Sequence, residues 1–465
     1  MSQSSAYQFS VLPLSQELID TLTTLGYDSM TPIQAQTLPH IIAGKDVIGQ
    51  GKTGSGKTAA FGLGLLNALD VKTFRIQALV LCPTRELADQ VAKEIRRLAR
   101  GVQNIKVLTL CGGMPFGPQV SSLEHGAHIV VGTPGRVEDH ICKQNLKLAD
   151  LNVLVLDEAD RMLEMGFTDS LATIIEAAPT TRQTLLFSAT MPLQISQLAA
   201  AIMRDPIEIH VEATHQATTI EQRFFKITNE TQRLEALELL ILKHAPESAL
   251  VFCNTKHDTQ IVAQYLQAQG FAAIALNGDL EQRERNLMLV RFSNKSAQVL
   301  VATDVAARGL DIDALDLVIN FHLSRESDIH VHRIGRTGRA GAKGLACSLV
   351  DAKDQHKLAD IAARTDQPIE FTPLPASSTI DTTPLNPMMV TLQLDGGKKQ
   401  KIRAGDILGC LTRGARLTGD DVGKIILFDN RAFVAVKRDK ASAALKIIQT
   451  EKLKGRAVRV RKIED

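Results

Sequence analysis

Residues 46–69 decide the fold and read DVIGQ, GKTGSGKT and AAFGLGLLNAL in succession. An apolar run, a glycine-rich loop and an apolar helical pattern form the strand–loop–helix context that the motif G-x-x-x-x-G-K-[ST] requires. Such a loop turns backbone N–H groups toward phosphate oxygens, and the helix N-terminus adds its dipole. We therefore predict a nucleotide triphosphate site, in which the lysine reaches the phosphates and the threonine hydroxyl serves Mg²⁺; a merely flexible glycine loop is the disfavoured alternative. Its residues are Gly54, Ser55, Gly56, Lys57 and Thr58.

Short aliphatic runs alternate with helical patterns on both sides of this stretch. Buried apolar runs between amphipathic helices are typical of parallel sheets built from βαβ units. We predict an α/β chain with two similar lobes, 1–209 and 219–371, joined by a polar hinge at 210–218. The candidate strands are 76–81, 106–110, 128–131, 153–156 and 184–187, then 249–252, 272–276, 298–301 and 316–320.

The C-terminal part of the chain differs in composition from the rest. Residues 372–387 contain four prolines and are predicted to be an extended linker. Residues 388–465 are predicted to form a small α+β domain with four strands and two helices. This segment carries a net charge of +9, whereas the first 387 residues carry −7. A basic tail favours contact with nucleic acid; a solvated lysine-rich surface is the alternative.

Composition excludes several classes of protein. With 465 residues, 44% hydrophobic and 22% charged, the chain is an ordinary globular protein and neither disordered nor collagen-like. Its six cysteines form no CxxC pair, so neither a zinc site nor a disulfide framework is expected. The N-terminal residues lack the basic start and apolar run of a signal peptide, and no apolar stretch has a membrane helix's length. We expect a cytoplasmic protein without membrane contact.

Two further motifs carry chemistry. Asp157, Glu158 and Asp160 follow the apolar run 153–156. Asp157 is predicted to hold Mg²⁺ and Glu158 to position and deprotonate the attacking water, whereas Asp160 should bond a neighbouring loop; an acidic helix N-terminus is the alternative. The segment 332–339, HRIGRTGR, has three arginines that are unlikely in a core and suit arginine fingers on a triphosphate held between the lobes; a solvated basic turn is the alternative.

Residues 9–350 resemble the DEAD-box RNA helicase family, because its motifs occur here nearly complete and in order. The motifs are Phe9 with GYDSMTPIQ (26–34), GKTGSGKT (51–58), PTRELA (83–88), GG (112–113), TPGR (133–136), DEAD (157–160), SAT (188–190), VFCNTK (251–256), LNGD (276–279), Gln282 with Arg285, ATDVAARGLD (302–311) and HRIGRTGR (332–339). Three positions depart from the family: Gly51 replaces the usual Ala, Asn277 the His of LHGD, and His330 a Tyr.

The resemblance implies roles around the nucleotide and ATP as the cofactor with Mg²⁺. Gln34 would bond adenine, with Tyr27 stacking on it and Phe9 belonging to the same motif. Asp311 would bond the ribose. The remaining implied roles are Arg336 and Arg339 as fingers, His332 coupling hydrolysis to the grip on RNA, and Ser188 with Thr190 linking Asp160 to RNA binding.

The resemblance also implies an RNA-binding path along both lobes. Its residues offer backbone N–H groups and guanidinium donors that suit phosphates rather than base edges, so binding should be independent of sequence. In the first lobe they are Pro83, Thr84, Arg85, Gly112, Gly113, Thr133, Pro134, Gly135 and Arg136. In the second lobe they are Gly278, Arg285 and Thr303.

The tail resembles the RRM-like RNA-binding domain of the DbpA subgroup, through 389–409, 423–438 and 452–460. The domain's only aromatics are Phe428 and Phe433, either core residues or stacking rings. The subgroup implies a structured hairpin of large-subunit ribosomal RNA as target and a task in ribosome assembly. The candidate RNA contacts are Lys398, Lys399, Lys401, Arg403, Lys452, Lys454 and Arg456.

Together these features predict an ATP-dependent RNA helicase that locally separates short duplexes and binds no DNA stably. An ATP-gated RNA clamp or scaffold is one alternative, and a general helicase of RNA turnover is another. A DNA helicase and a nucleotide-dependent protein remodeller are weaker alternatives.

Overall fold

The computed structural model describes residues 7–51, 54–211, 220–307, 310, 315–338, 344–365, 368–376, 378, 383–384, 386–413, 417–451 and 453–463. The chain divides into two compact units, with the boundary near residue 214. Three residues with predicted roles, Asp311, Arg339 and Lys452, lie outside the described residues, as does most of the predicted hinge.

The first unit contains a parallel sheet whose strands match the predicted ones. Its strands are β1 (Val47–Gln50), β2 (Ala78–Leu81), β3 (Val107–Leu110), β4 (Ile129–Gly132), β5 (Val153–Asp157), β6 (Gln183–Ser188) and β7 (Ile207–His210). Their order is β3-β4-β2-β5-β6-β1-β7. The edge strand β7 had no sequence prediction, because its residues IEIH mix apolar side chains with charge.

Helices cover both faces of this sheet. They are α1 (Gln16–Thr24), α2 (Pro32–Ile42), α3 (Lys57–Ala68), α4 (Arg85–Leu98), α5 (Phe116–Glu124), α6 (Pro134–Cys142), α7 (Ala159–Glu164), α8 (Thr168–Glu176) and α9 (Leu193–Ile202). Alternate residues of each strand enter opposite cores: Val153 and Val155 join one apolar cluster, whereas Leu154 and Leu156 join the other. Burial on both faces explains why these strands are continuous apolar runs in the sequence.

The second unit begins with another parallel sheet, in the order β10-β11-β9-β12-β13-β8. Its strands are β8 (Ile220–Lys226), β9 (Ala249–Cys253), β10 (Ala273–Leu276), β11 (Val299–Thr303), β12 (Leu317–Asn320) and β13 (Gly344–Val350). Its helices are α10 (Glu230–His244), α11 (Lys256–Ala268), α12 (Gln282–Ser293), α13 (Asp304–Ala307), α14 (Ser327–Ile334) and α15 (Gln355–Thr365). The predicted strands are again confirmed, whereas β8 and β13 had no prediction.

The C-terminal domain belongs to the same compact unit as the second sheet. Its strands are β14 (Met389–Leu394), β15 (Val422–Leu427), β16 (Ala432–Lys437) and β17 (Val460–Lys462), and its helices are α16 (Ala404–Thr412) and α17 (Ala441–Thr450). The sheet is antiparallel in the order β15-β16-β14-β17. The predicted fold class, two parallel-sheet lobes and a small α+β domain, is therefore confirmed.

The linker segment starts against the second lobe. The backbone N–H of Thr372 donates to the carbonyl of Phe224 at 2.8 Å, and Leu374 packs against the lobe's core. The ammonium of Lys226 lies 4.8 Å from the centre of the Phe371 ring. The chain that leaves the second lobe is therefore anchored at its first residues.

Candidate nucleotide site and RNA-binding surfaces

The glycine-rich loop joins the end of β1 to the start of α3. Gly54 and Gly56 have φ angles of 83° and 96°, which glycine adopts without strain. Lys57, the first residue of α3, is buried, and its Nζ donates to the carbonyl of Gly51 at 2.6 Å. The predicted phosphate-binding lysine therefore bonds the first residue of the loop in the absence of nucleotide. A phosphate oxygen could replace the Gly51 carbonyl as the acceptor of this hydrogen bond.

Gln34 of α2 fixes the loop from its other side. Its amide nitrogen donates to the carbonyl of Gly56 at 3.1 Å, and its amide oxygen accepts from the backbone N–H of Thr31 at 2.9 Å. A Cβ on Gly56 would lie only 2.5 Å from the amide nitrogen of Gln34. Glycine is thus required at residue 56 for backbone angle and for space, and Gln34 connects its motif directly to the phosphate loop.

The polar atoms beside the loop fit an anionic ligand. The hydroxyls of Ser55 and Thr31 are buried and have no hydrogen-bond partner among the described atoms. A buried hydroxyl without a partner is costly, and a phosphate oxygen would satisfy either of these two. With the helix N-terminus of α3 and the charge of Lys57, the donor set suits a nucleotide phosphate chain.

Asp157 ends β5, and its carboxylate is buried. Burial is the main cause that raises the pKa of Asp157 to about 7; the charge of Lys57 opposes this rise and that of Glu158 adds to it. A buried carboxylate at the end of a strand is stabilised when it meets a cation. Together with the hydroxyl of Thr58 and phosphate oxygens, it fits the oxygen ligands that Mg²⁺ prefers.

Glu158 occupies an unusual backbone conformation between β5 and α7. Its φ and ψ are 54° and 52°, in the left-handed region that a residue with a Cβ rarely adopts. Strained backbone of this kind concentrates at functional residues. The turn separates Asp157, buried in the strand, from Glu158, which is half-exposed, and so gives two adjacent carboxylates different surroundings.

Asp160 bonds the loop after β6, as its sequence context predicts. Its carboxylate accepts from the backbone N–H of Thr190 at 3.0 Å and from the Thr190 hydroxyl at 2.8 Å. Burial would raise the pKa of Asp160, but the hydrogen bonds from Thr190 and the charge of Arg161 outweigh it and keep the pKa below its usual value. The Ser188 hydroxyl in turn donates to the carbonyl of Thr190 at 2.7 Å.

The two aromatic residues of the predicted adenine motif form a packed pair. Phe9 is buried, and its ring meets the ring of Tyr27 edge to face with centroids 6.2 Å apart. The Tyr27 hydroxyl donates to Glu94, and burial, with this hydrogen bond, raises the pKa of Tyr27 to about 12. Tyr27 is therefore a neutral, half-buried ring in a fixed orientation; its contact with adenine stays a prediction.

The predicted RNA contacts of the first lobe follow three neighbouring strands. Thr84 caps the N-terminus of α4 after β2 and accepts from the N–H of Leu87 at 3.3 Å. Gly112 follows β3, and its N–H donates to the hydroxyl of Thr133, the cap of α6, at 3.4 Å. Because β3, β4 and β2 are adjacent and parallel, the structure brings these motifs together at one edge of the sheet.

The glycines at this edge lie against open space. A Cβ added to Gly112 or Gly135 would meet nothing within 4 Å, so internal packing does not require glycine there. Arg136, in contrast, donates to the carbonyl of Met114 at 3.0 Å and to the side-chain oxygen of Gln119 at 3.1 Å. Arg136 therefore positions the loop that contains Met114, in addition to its predicted role with RNA.

The second lobe groups two of its predicted RNA contacts around the short helix α13. Arg285 of α12 donates to the carbonyl of Ala306 at 2.7 Å, and the hydroxyl of Thr303 accepts from the N–H of Ala306 at 3.4 Å. Gly278 follows β10, the strand beside β11, and is exposed. Asn277, the departure from the family, donates to Thr259 at 3.1 Å and has a local structural role.

One expectation about the arginine-rich segment is wrong. Arg333 of α14 is 1% exposed and lies in the core of the second lobe, although the sequence suggested that such a segment is unlikely there. All five of its N–H donors are used: its acceptors are both carboxylate oxygens of Asp304, the side-chain oxygens of Asn254 and Asn320, and the carbonyl of His322. A buried guanidinium is tolerated because each donor and the charge are satisfied.

Two other residues of this segment with predicted roles lie nearer the surface than Arg333. His332 and Arg336 are half-exposed. The coupling role of His332 and the arginine-finger role of Arg336 remain predictions. His330 is fully buried, and its Nε2 lies 3.0 Å from the side-chain oxygen of Gln222. Burial and then the charge of Arg333 lower the pKa of His330 to about 4, so the ring that replaces the family's tyrosine is neutral.

The C-terminal domain brings its two basic stretches together. Lys454 donates to the carbonyl of Lys401 at 2.7 Å and pairs with Asp406 at 3.0 Å, which joins the turn at 453–456 to the turn at 398–401. Lys401 and Lys454 both have left-handed backbone, with φ of 57° and 50°. The exposed side chains form one basic surface, defined here as Lys398, Lys399, Lys401, Arg403, Lys454 and Arg456.

The aromatic residues of this domain belong to its packing. Phe433 is 5% exposed, and Phe428 meets its ring edge to face at 5.7 Å. No group of three or more potential metal ligands, and no helix long and apolar enough to span a membrane, occurs in the part of the chain that the structure describes.

Comparisons with known proteins agree with this geometry. The DEAD/DEAH box helicase model matches residues 31–198, the helicase conserved C-terminal domain residues 232–341, and the DbpA RNA binding domain residues 391–462. The ATP-dependent RNA helicase DbpA of Escherichia coli (strain K12) is 52% identical over 452 residues, which cover 97% of this chain and 98% of that protein.

More distant relatives share the two lobes. The DEAD-box ATP-dependent RNA helicase CshA of Bacillus subtilis (strain 168) is 41% identical over 78% of this chain and 73% of its own length. The solved structure of S. cerevisiae Dbp5 bound to RNA and ADP BeF3 has a TM-score of 0.72 at 28% identity, covering 80% of this chain and 97% of that one. The chain therefore belongs to the DEAD-box family of ATP-dependent RNA helicases and carries a DbpA-type RNA-binding domain at its C-terminus.

Proposed function

We propose that this helicase locally unwinds short RNA duplexes beside a structured hairpin of large-subunit ribosomal RNA, in the cytoplasm, during assembly of the large ribosomal subunit. The observation that carries the targeting is the basic surface of the C-terminal domain, where Lys454 joins two basic turns. A rigid cluster of exposed cations with few available rings suits the backbone of folded RNA better than stacked single strands. We propose the domain boundaries given above, with the tail domain at 388–465.

Each residue of the first-lobe site has a separate role in ATP hydrolysis. Lys57 leaves the carbonyl of Gly51 and neutralises phosphate charge, while Ser55 and Thr31 donate to phosphate oxygens. Asp157 and Thr58 hold Mg²⁺, which supplies charge neutralisation at the phosphates when bound. Glu158, presented by its left-handed turn, accepts the proton of the attacking water. Arg336 and Arg339 stabilise the charge of the transition state as arginine fingers.

The link from nucleotide to RNA runs through Asp160. Its carboxylate holds Thr190 through two hydrogen bonds, so a shift of the turn at Glu158 moves the loop at 188–190. RNA is gripped by backbone N–H groups at the N-termini of α4 and α6, at Gly112 and Gly113, and in the second lobe near Gly278, Thr303 and Arg285. Such contacts give one grip and one release per ATP, so unwinding is local.

The test compares the full chain with a chain ending at Ser378, on a duplex that either carries or lacks the ribosomal hairpin. We expect full-length protein to unwind the hairpin-bearing duplex about tenfold better, and the shortened chain to hydrolyse ATP with abundant RNA while losing this preference. Equal unwinding of both substrates by the full chain would favour a general helicase of RNA turnover. RNA-stimulated ATPase without strand separation would favour a clamp or scaffold.

A further inference from the structure

Helix α5 of the first lobe buries one of its residues, and that residue is polar. Of the nine residues of α5, all of which the structure describes, only Gln119 is buried, with 8% of its surface exposed, whereas the apolar Leu123 is half-buried. Gln119 belongs to none of the helicase motifs, because it lies between the GG turn (112–113) and the TPGR segment (133–136). A buried glutamine needs hydrogen-bond partners, and these partners indicate what the residue does.

The side chain of Gln119 forms hydrogen bonds with residues of both RNA motifs at this edge of the sheet. Its amide nitrogen donates to the carbonyl of Cys111, the residue directly before Gly112, at 3.1 Å. Its amide oxygen accepts from the guanidinium of Arg136 at 3.1 Å and lies 3.0 Å from Nε2 of His140. The amide therefore connects the entry to the GG turn with α6, the helix that begins within TPGR.

The partners of this amide fix its orientation. A guanidinium only donates and a carbonyl only accepts, so the oxygen of Gln119 faces Arg136 and its nitrogen faces Cys111. Nε2 of His140 then carries a proton and donates it to the same oxygen. Burial, followed by the charge of Arg136, lowers the pKa of His140, so its ring is neutral. Rotation of the amide by half a turn would set oxygen against oxygen and donor against donor.

The loop between the GG turn and α5 is held by the same residues of α6. The guanidinium of Arg136 also donates to the carbonyl of Met114 at 3.0 Å. The ring of Phe116 stacks on that of His140, with centroids 4.2 Å apart and 9° between the planes, and the ammonium of Lys143 lies 4.3 Å from the centre of the Phe116 ring. The segment 111–119 therefore folds back onto α6, and its last residue bonds its first.

The relative position of the two motifs matters because their predicted RNA donors include backbone N–H groups. Such donors cannot rotate toward a phosphate as a side chain does, and a hydrogen bond requires a donor–acceptor distance of roughly 2.7–3.2 Å. The direct hydrogen bond between the motifs, from the N–H of Gly112 to the hydroxyl of Thr133, is long at 3.4 Å. The hydrogen bonds of Gln119 are shorter and buried, so they contribute more to the relative position of the motifs.

We propose that Gln119 is a positioning residue for RNA binding, which holds the GG turn and the N-terminus of α6 at the spacing where donors of both engage the phosphates of one RNA strand. This inference rests on the RNA grip assigned under the proposed function. Because Gln119 is buried, it acts through Cys111 and Arg136 rather than on the RNA itself. The phosphate loop belongs to other elements, β1 and α3, so loss of these hydrogen bonds should weaken RNA binding more than ATP binding.

The test replaces Gln119 in the full chain and measures ATPase activity against RNA concentration. The RNA is short and unstructured, so it offers no hairpin to the C-terminal domain. Gln119→Leu removes all three hydrogen bonds at nearly constant volume. Gln77→Leu is the matched control, because Gln77 is buried and its amide forms three hydrogen bonds with the backbone of Asp70 and Thr73. Gln77 precedes β2, so it lies at the opposite end of the sheet from TPGR.

We expect Gln119→Leu to raise the RNA concentration for half-maximal ATPase by about tenfold, while the KM for ATP at saturating RNA changes by less than about twofold. Gln77→Leu should lower the midpoint of urea unfolding by a similar amount, because it loses as many buried hydrogen bonds, yet leave the RNA concentration within about twofold. An unchanged RNA dependence in folded Gln119→Leu overturns the proposal. An equal rise in both variants also overturns it, since lost stability would then explain the effect.

Gln119→Glu keeps the question open to experiment if Gln119→Leu fails to fold. A carboxylate still accepts from Arg136 and His140 but cannot donate to the carbonyl of Cys111, so only the connection to the GG turn is lost. We expect the RNA concentration for half-maximal ATPase to rise by about fivefold, again without a matching change in the KM for ATP. The same RNA dependence as the wild-type protein would overturn the positioning role.

Gly112→Val separates this inference from the RNA grip on which it rests. A Cβ on Gly112 meets nothing within 4 Å inside the protein, so the added side chain should obstruct RNA alone. If Gly112→Val leaves the RNA dependence unchanged, the grip assigned to the GG turn under the proposed function fails, and this inference fails with it. If Gly112→Val weakens RNA binding and the Gln119 variants do not, the grip stands and only the positioning role is overturned.

Discussion

The two lobes have similar parallel sheets, but they differ in whether the polar side chains of their motifs have hydrogen-bond partners within the protein. In the first lobe, the hydroxyls of Ser55 and Thr31 are buried without partners, and Glu158 has left-handed backbone. In the second lobe, Arg333 is buried with all five donors satisfied. The first lobe therefore keeps unmet hydrogen-bonding capacity beside its phosphate loop, whereas Arg333 of the second lobe uses all of its donors within the protein.

The segment 332–339 shows that one motif can contain both a buried structural arginine and a half-exposed one. Arg333 and Arg336 are three residues apart, yet one is a core group and the other is half-exposed. Arg333 links three motifs, because it belongs to the segment 332–339 and donates hydrogen bonds to Asn254 and Asp304, which come from two other motifs. It therefore fixes the position of α14, and with it the half-exposed residues of the helix and of the turn that follows.

The largest expected effect comes from breaking the first lobe's site. Glu158→Gln should keep ATP binding but lower the hydrolysis rate by about 10³-fold, because the attacking water loses its base. Lys57→Ala should instead weaken ATP binding and abolish unwinding, because phosphate charge loses its partner. Nucleotide affinity and steady-state ATPase separate the two. Hydrolysis near the wild-type rate in Glu158→Gln would show that the base lies elsewhere.

The second prediction contrasts Arg333 of α14 with Arg336, which lies just after the end of this helix. Arg333→Met should lower the free energy of unfolding of the second unit by about 3 kcal/mol, because Asp304 loses the guanidinium that it pairs with. Arg336→Met, the matched control, should change it by less than about 1 kcal/mol yet reduce RNA-stimulated ATPase strongly. Urea unfolding and ATPase measurements test both; equal stability of the two variants would contradict the assignment of Arg333 as a structural residue.

The third prediction uses the raised pKa of Asp157. A carboxyl whose pKa is about 7 in the folded protein and about 3.8 when unfolded stabilises the fold most at low pH, and this contribution is lost as pH rises from about 4 through 7. Asp157→Asn should therefore stabilise nucleotide-free protein by roughly 4 kcal/mol at pH 8, and the gain should shrink toward pH 5. Thermal unfolding at both values measures it, with Asp150→Asn, an exposed site, as the control.

The features that the sequence predicts are those set by local patterns, and the features that it does not predict depend on residues far apart in the chain. The phosphate loop, the strands with both faces buried and the bond from Asp160 to its neighbouring loop follow from local patterns. The burial of Arg333 does not, because its acceptors come from three separate parts of the chain: Asn254, Asp304 and the stretch 320–322. The strand β8 was missed because an edge strand reading IEQRFFK shows no apolar run. The contact between the hydroxyls of Ser296 and Thr391 was not predictable either, because these residues are far apart in sequence.

The smallest expected effect concerns the basic surface of the C-terminal domain. If each of its cations neutralises one phosphate, changing Lys398, Lys399, Lys401 and Arg403 to Ala should flatten the slope of log affinity against log salt by about 3 units. The measurement is a salt titration of hairpin binding by the full chain. The control changes Arg413, Lys440 and Lys446, cations on or beside α16 and α17, and should leave the slope unchanged, because cations that do not contact RNA release no counterions. If both variants alter the slope equally per charge removed, binding reflects the domain's net charge rather than this surface. If neither does, the contact moves to Lys454 and Arg456, and the bond from Lys454 to Lys401 would then serve the turn's shape alone.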